Sequence, residues 1–162
     1  MMITFTNRLN IRQSIQLFDS LYEPELQLTQ EEKSNLLHVC RNTTTYLFIN
    51  GTVVGEIYGA SPRWLAIEHS EQIEDTNPDD GLTCYCYSCT IIPGFQGLGL
   101  GRYLQAYWMG LCKARGYKRV SGHAMSPAMV KLASTFNAQF PVADRPNWQG
   151  TQRTARYYEI EL

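Results

Sequence analysis

Thr83-Cys84-Tyr85-Cys86-Tyr87-Ser88-Cys89-Thr90-Ile91-Ile92-Pro93-Gly94-Phe95-Gln96-Gly97-Leu98-Gly99-Leu100-Gly101-Arg102 is the most telling stretch of this chain. From Thr83 to Ile92 it is dense in aromatic, β-branched and cysteine side chains, which predicts a strand. Pro93 ends that strand, and Gly94 to Leu100 reads as a loop. Gly101 to Arg115 then sets Leu104, Tyr107, Trp108, Leu111 and Cys112 at helical spacing, with Gly116 as the stop. A helix N-terminus leaves backbone N–H groups without partners and carries partial positive charge. Glycines before it let a phosphate approach those groups.

Three kinds of protein use such a unit. A P-loop needs Lys-Ser or Lys-Thr after its last glycine, and here Gly101 is followed by Arg102-Tyr103. A dinucleotide fold needs G-x-G-x-x-G and an acidic residue to grip a ribose. The glycines fall instead at 97, 99 and 101, and no Asp or Glu occurs from Gly81 to Ala143. All the charge in that region is positive: Arg102, Lys113, Arg115, Lys118, Arg119 and Lys131. A segment built around a phosphate-rich ligand is expected to avoid negative charge. Arg102, beside the loop, is read as a ligand contact, and Lys113, Arg115 and Lys131 as solvated helix faces.

Outward from this unit, Thr43 to Ile49 and Thr52 to Gly59 flank Asn50-Gly51, a strong hairpin signal because both turn residues must accept positive φ. Ile3 to Asn7 reads as a short strand, and Asn10 to Tyr22 and Thr29 to Cys40 as helices, the second opening on a Thr29/Glu32 capping box. Lys118 to Met125 predicts a strand. Ser126-Pro127 opens a helix whose buried face is Val130, Leu132, Ala133 and Phe136, with Asn137 as its left-handed exit. Thr154 to Leu162 closes the chain as a strand. The expected fold class is α+β: a central, mixed, mostly antiparallel twisted sheet flanked by helices, in one domain over residues 1–162. Residues 60–82 form a long acidic excursion, with Glu68, Glu71, Glu74, Asp75, Asp79 and Asp80 against Arg63 alone.

Bulk properties narrow the partners. The net charge of −1 points to neither nucleic acid nor a membrane surface. The N-terminal residues lack the basic lead and apolar run of a signal peptide. No stretch approaches the roughly 20 apolar residues of a membrane span. A cytoplasmic protein is therefore expected. Of the five cysteines, Cys84, Cys86 and Cys89 lie on one strand. Alternation puts Cys84 and Cys86 on one face and Cys89 on the other, which favours core packing over a metal site.

Ile91-Ile92-Pro93-Gly94-Phe95-Gln96-Gly97-Leu98-Gly99-Leu100-Gly101 resembles the acetyl-CoA signature of the GNAT superfamily of N-acetyltransferases, with Gln96, Gly99 and Gly101 in the three defining places of Q/R-x-x-G-x-G/A. The hairpin around Asn50-Gly51 and the last strand sit where that family carries them. The resemblance implies acetyl-CoA as co-substrate. Its pyrophosphate would lie on Gln96, Gly97, Leu98, Gly99, Leu100, Gly101 and Arg102, and its pantetheine arm beside Thr90, Ile91 and Ile92. Ser126 stands where the family often has Asn. It implies direct attack by an amine in a ternary complex, with a backbone N–H near Ile91 steadying the oxyanion.

Two family features are missing. The Tyr that often protonates the CoA sulfur falls at Ala133, and the usual Glu base falls near Tyr85. The proton acceptor is left among His123, Glu56, Tyr85, a carboxylate of the acidic excursion and solvent, and each of the three named residues has an ordinary structural reading as well. The acidic excursion would attract a cationic amine, with Trp64 as an aromatic wall, or else form a solvated loop or a dimer contact. Small polyamines, aminoglycoside-like amines and protein lysines all remain open. The competing function is a catalytically silent CoA-binding sensor or interaction module.

Overall fold

The computed structural model describes residues 2–8, 11–64 and 81–162. Six strands form one sheet in chain order: β1 (Ile3–Thr6), β2 (Thr45–Ile49), β3 (Thr52–Ala60), β4 (Thr83–Ile91), β5 (Arg119–Ala124) and β6 (Arg156–Glu161). All neighbours are antiparallel except β4 and β5. The parallel pair needs a long crossover, supplied by helix α3 (Leu100–Ala114). The expected mixed, mostly antiparallel sheet is thus present.

Helices α1 (Ile11–Leu17) and α2 (Gln30–Val39) precede the hairpin, and α4 (Pro127–Ser134) follows β5. The main core joins one sheet face to α3 and α4 through Leu47, Ile57, Val120, Leu104, Trp108 and Ala133. A second cluster lies under α2 and contains Leu36, Cys40, Tyr58, Ala60 and Tyr85.

Local rules set most element ends. Asn50 and Gly51 take φ of 49° and 84°, as the hairpin turn requires. Thr29 caps α2 with the full capping box: its hydroxyl accepts from the Glu32 N–H, and Glu32 accepts from the Thr29 N–H. Ser126 caps α4, accepting from the Met129 N–H at 3.2 Å. The first helix ends sooner than its periodicity predicts. The chain leaves regular helix at Phe18, and Asp19–Leu21 form a 3₁₀ turn that buries Phe18 and Asp19 side by side. The acidic residues of the 60–82 excursion lie outside the described residues.

One expectation is corrected. Cys89 does not face away from Cys84 and Cys86, because the β3–β4 register shifts between Tyr58 and Gly59, leaving Tyr87 as an extra residue on β4. A bulge of one residue reverses the alternation beyond it. Cys84, Cys86, Cys89 and Ile91 therefore all pack on the α3 side. Tyr85 and Tyr87 pack with the α2 cluster, where Ser88 and Thr90 meet Tyr22.

Candidate active site

Strands β4 and β5 pair only from Thr83 with Arg119 to Cys86 with Gly122. Beyond that point β4 runs on to Ile91 against β3, while β5 runs on to Ala124 against β6. The two inner strands diverge, and a cavity of about 750 Å³ opens between them, within the roughly 300–1,000 Å³ usual for small-ligand sites. Gly122 helps to shape it. A Cβ there would stand 2.8 Å from the Tyr158 hydroxyl, so the lack of a side chain lets the Tyr158 ring lie across β5 and line the cleft.

The glycine loop forms one wall. Gly97 and Gly99 both have φ of 76°, a conformation natural to glycine, and Gly99 is the N-cap of α3. Among the described residues, no protein acceptor takes the N–H groups of Gly97, Leu98, Gly99, Leu100 or Gly101. A Cβ added at Gly97 or Gly99 would meet nothing within 4 Å. Glycine at these two positions therefore answers to backbone conformation and open space, not to packing. Gln96 braces the loop, its side-chain amide donating to the Ile91 carbonyl at 2.8 Å. Arg102 and Lys131, both exposed, add positive charge to the lining. Unpaired N–H groups, a helix N-terminus and cationic side chains together suit a pyrophosphate.

The other sequence-derived ligand positions divide. Thr90, Ile91, Gln96, Gly97, Gly99, Leu100, Gly101, Arg102 and Ser126 line the cleft. Ile92 gives its N–H to the Val54 carbonyl at 3.0 Å and packs against the core. Leu98 is 65% exposed and is not among the lining residues. Ala133, at the family's Tyr position, is buried in the main core.

On the α1–α2 side a second cavity, of about 70 Å³, meets the same strands. Its walls include Tyr22, Tyr58, Tyr85, Tyr87 and Trp148. His123 lines both cavities. Its Nδ1 is hydrogen-bonded to the Tyr85 hydroxyl at 2.7 Å, and its ring stacks on Trp148 with centroids 4.2 Å apart. Two of the candidate proton carriers are thus joined, Tyr85 from β4 and His123 from β5.

Glu56 is elsewhere. It is fully buried on β3 beside Thr90 and lines neither cavity. One carboxylate oxygen accepts from Lys33 at 2.9 Å and the other from the Ser14 hydroxyl at 2.8 Å. Burial pushes its pKa up to about 7 against the opposing pull of Lys33 and Ser14. Lys33, itself fully buried, also reaches Asp19 at 2.8 Å and the Tyr58 hydroxyl at 3.0 Å.

Sequence reasoning missed Asp19, Tyr22, Lys33 and Trp148. No local pattern marks them, since Lys33 follows Glu31 and Glu32 and reads as surface charge. Trp148 sits in an irregular loop, and only the return of that loop onto β5 brings it to His123.

No protein-family model and no curated protein sequence matches the chain. Solved structures match it along its length. Ard1 from Thermoplasma volcanium superposes with a TM-score of 0.74 at 15% identity, covering 100% of this chain and 99% of that one. The putative acetyltransferase yncA from Salmonella typhimurium, solved with its cofactor acetyl-CoA, gives 0.69 at 15% identity over 99% of this chain and 94% of that one. Arabidopsis thaliana Naa50, in complex with the bisubstrate analogue CoA-Ac-MVNAL, gives 0.72 at 12% identity, covering 100% of each chain. The chain has the GNAT acetyltransferase fold.

Proposed function

We propose that this protein is an acetyl-CoA-dependent N-acetyltransferase acting on a primary amine. One observation carries the reading: the same cleft holds a cradle of unpartnered N–H groups at the start of α3 and, across it, a histidine held by a tyrosine. Acetyl-CoA supplies the electrophilic thioester carbonyl. The loop from Gln96 to Arg102 holds its pyrophosphate, Thr90 and Ile91 run beside its pantetheine arm, and Ser126 borders the cleft at the start of α4.

His123 takes the proton that the amine loses as its nitrogen bonds to the carbonyl carbon. The C–S bond breaks, and the sulfur leaves with the electron pair. The tautomer suited to this work keeps hydrogen on Nδ1, donating to the Tyr85 oxygen, and presents the Nε2 lone pair to the amine. After proton transfer the imidazolium keeps the same bond to Tyr85, so the orientation does not change. Tyr85 is a positioning residue. Glu56 has no part in the chemistry on this reading, because both its oxygens are engaged away from the cleft.

Naa50 was solved with a peptide-bearing analogue and yncA with acetyl-CoA, which supports the type of co-substrate and an amine acceptor. The alternative, a CoA-binding module without turnover, is favoured by Ala133, which offers no acid for the leaving sulfur. Calorimetric titration with acetyl-CoA, CoA and NAD, followed by free-thiol release over an amine and peptide panel, separates the readings. Selective CoA binding with amine-dependent release is expected. Binding without release on any amine favours the silent module, and absence of CoA binding removes both.

A further inference from the structure

His123 lies in a box of rings. The Trp148 indole stacks on its imidazole, with centroids 4.2 Å apart and planes 25° from parallel. Tyr85 and Tyr157 lean in at 5.8 and 5.4 Å, both tilted. An aromatic face carries negative charge density, so it attracts an imidazolium more than a neutral imidazole. The stack therefore favours the protonated form of His123, which is the form reached when the ring takes a proton from an amine. Other charges near the ring come engaged. On the small-cavity side Asp19 is bound to Lys33, and in the main cleft Glu23 forms an ion pair with Arg153. On β6, which pairs with β5 along His123, Arg156 is held by Asp144, and Glu159 accepts from the Tyr157 hydroxyl. The remaining titratable groups on the shared walls are the neutral Tyr22, Tyr85, Tyr87 and Cys86. Paired charges cast weak fields, whereas the indole face is in direct contact.

Trp148 reaches that position on a strained loop. Asn147, Gln149, Gly150 and Gln152 have φ of 53°, 49°, 78° and 58°. Left-handed backbone at three non-glycine residues is costly and persists only where the surroundings impose it, most often at working sites. Here the Trp148 N–H donates to the Arg153 carbonyl at 2.9 Å and the Gln152 N–H to Asn147 Oδ1 at 3.1 Å. The Thr151 hydroxyl donates to the Trp148 carbonyl at 2.6 Å. The Glu23–Arg153 pair ties the end of the loop to the segment that follows α1. Between these ties the indole is buried against His123.

We propose that Trp148 is a positioning residue: the left-handed loop holds its indole against His123, where it fixes the ring and stabilises the imidazolium. The use of that stabilisation in catalysis rests on the acetyl-transfer reading. The stabilisation itself does not.

The test is an NMR titration of the His123 imidazole in the wild-type chain, Trp148→Leu and Trp148→Phe. His123→Gln identifies its signal among the three histidines. Leucine keeps apolar bulk beside the ring but has no aromatic face. The His123 pKa is expected to fall by about half a unit to one unit in Trp148→Leu, and by less in Trp148→Phe, whose smaller ring keeps part of the attraction. The acid limb of kcat/KM for thiol release should move to lower pH by the same amount, a shift that a merely structural role would not produce. An unchanged or raised His123 pKa in folded Trp148→Leu overturns the proposal. Should Trp148→Leu fail to fold, Trp148→Phe decides by the same criterion. A lowered pKa with no thiol release on any amine removes acetyl transfer and leaves the stabilised imidazolium standing. Thiol release with an unmoved pKa does the reverse.

Discussion

The Tyr85 hydroxyl and His123 Nδ1 lie 2.7 Å apart, joining β4 to β5 just where the two strands part. That bond holds the imidazole at the junction of the two cavities. His123→Ala is expected to lower kcat/KM by about a hundredfold to ten-thousandfold, the usual range for a lost general base. Acetyl-CoA affinity, measured calorimetrically, should stay unchanged. Tyr85→Phe should lower kcat with little change in KM. In a double-mutant cycle, Tyr85→Phe should have no further effect once His123 is gone. Additive losses would show that Tyr85 acts independently.

Gly99 and Arg102 test the proposed phosphate cradle separately. Alanine at 99 meets no atom within 4 Å, so its penalty is the φ of 76° and crowding of the bound ligand. A stability loss of about 1 kcal/mol is expected, with weaker acetyl-CoA binding. Arg102→Ala should leave stability untouched, because the side chain is exposed. It should weaken CoA binding severalfold at low salt, and less as salt screens the lost charge. Titrations at two ionic strengths read this directly.

Gly59 should tolerate no side chain. A Cβ there would overlap the Tyr85 carbonyl oxygen and lie 3.0 Å from the Trp108 ring. The backbone of β4 comes this close at the bulge. Gly59→Ala is expected to destabilise the fold by about 2–3 kcal/mol or more, the scale of core overpacking. Urea unfolding measures it, and a neutral result would contradict the β3–β4 register.

Glu56 should make stability fall with pH. Its folded-state pKa is raised to about 7 from an ordinary 4.5, so between those values the folded chain holds a proton that the unfolded chain has released. Its stabilising contribution is full below about pH 4.5 and is lost as pH rises through about 7, with a slope of at most about 1.4 kcal/mol per pH unit. Burial raises Asp19 too, which adds to the fall. Urea unfolding at pH 5, 6, 7 and 8 should show this slope in the wild type and a shallower one in Glu56→Gln.

Much of the architecture is legible residue by residue because its causes are local. Asn50-Gly51 needs positive φ, Thr29 and Glu32 cap a helix whatever that helix packs on, and Gly97 to Gly101 leave N–H groups without partners among the described residues by virtue of their place before and at a helix start. The facing of Cys89 was not legible. Alternation is a local rule, but the bulge at Tyr87 is decided by how β4 meets β3. The same limit hid Asp19 and Lys33, whose neighbours on the chain look like those of surface charges.

By itself the sequence determined the element order, the caps and turns, and the glycine cradle. Each depends on φ, on hydrogen-bond satisfaction or on charge within a few residues. The tertiary structure alone decided that Tyr85 and His123 meet and that Glu56 is sealed away from the cleft. It also decided that Lys33, Asp19 and Glu56 meet in one buried cluster. Those outcomes depend on which side chains share a low-dielectric space, and residues from distant points in the chain enter that space only when the sheet and its helices assemble.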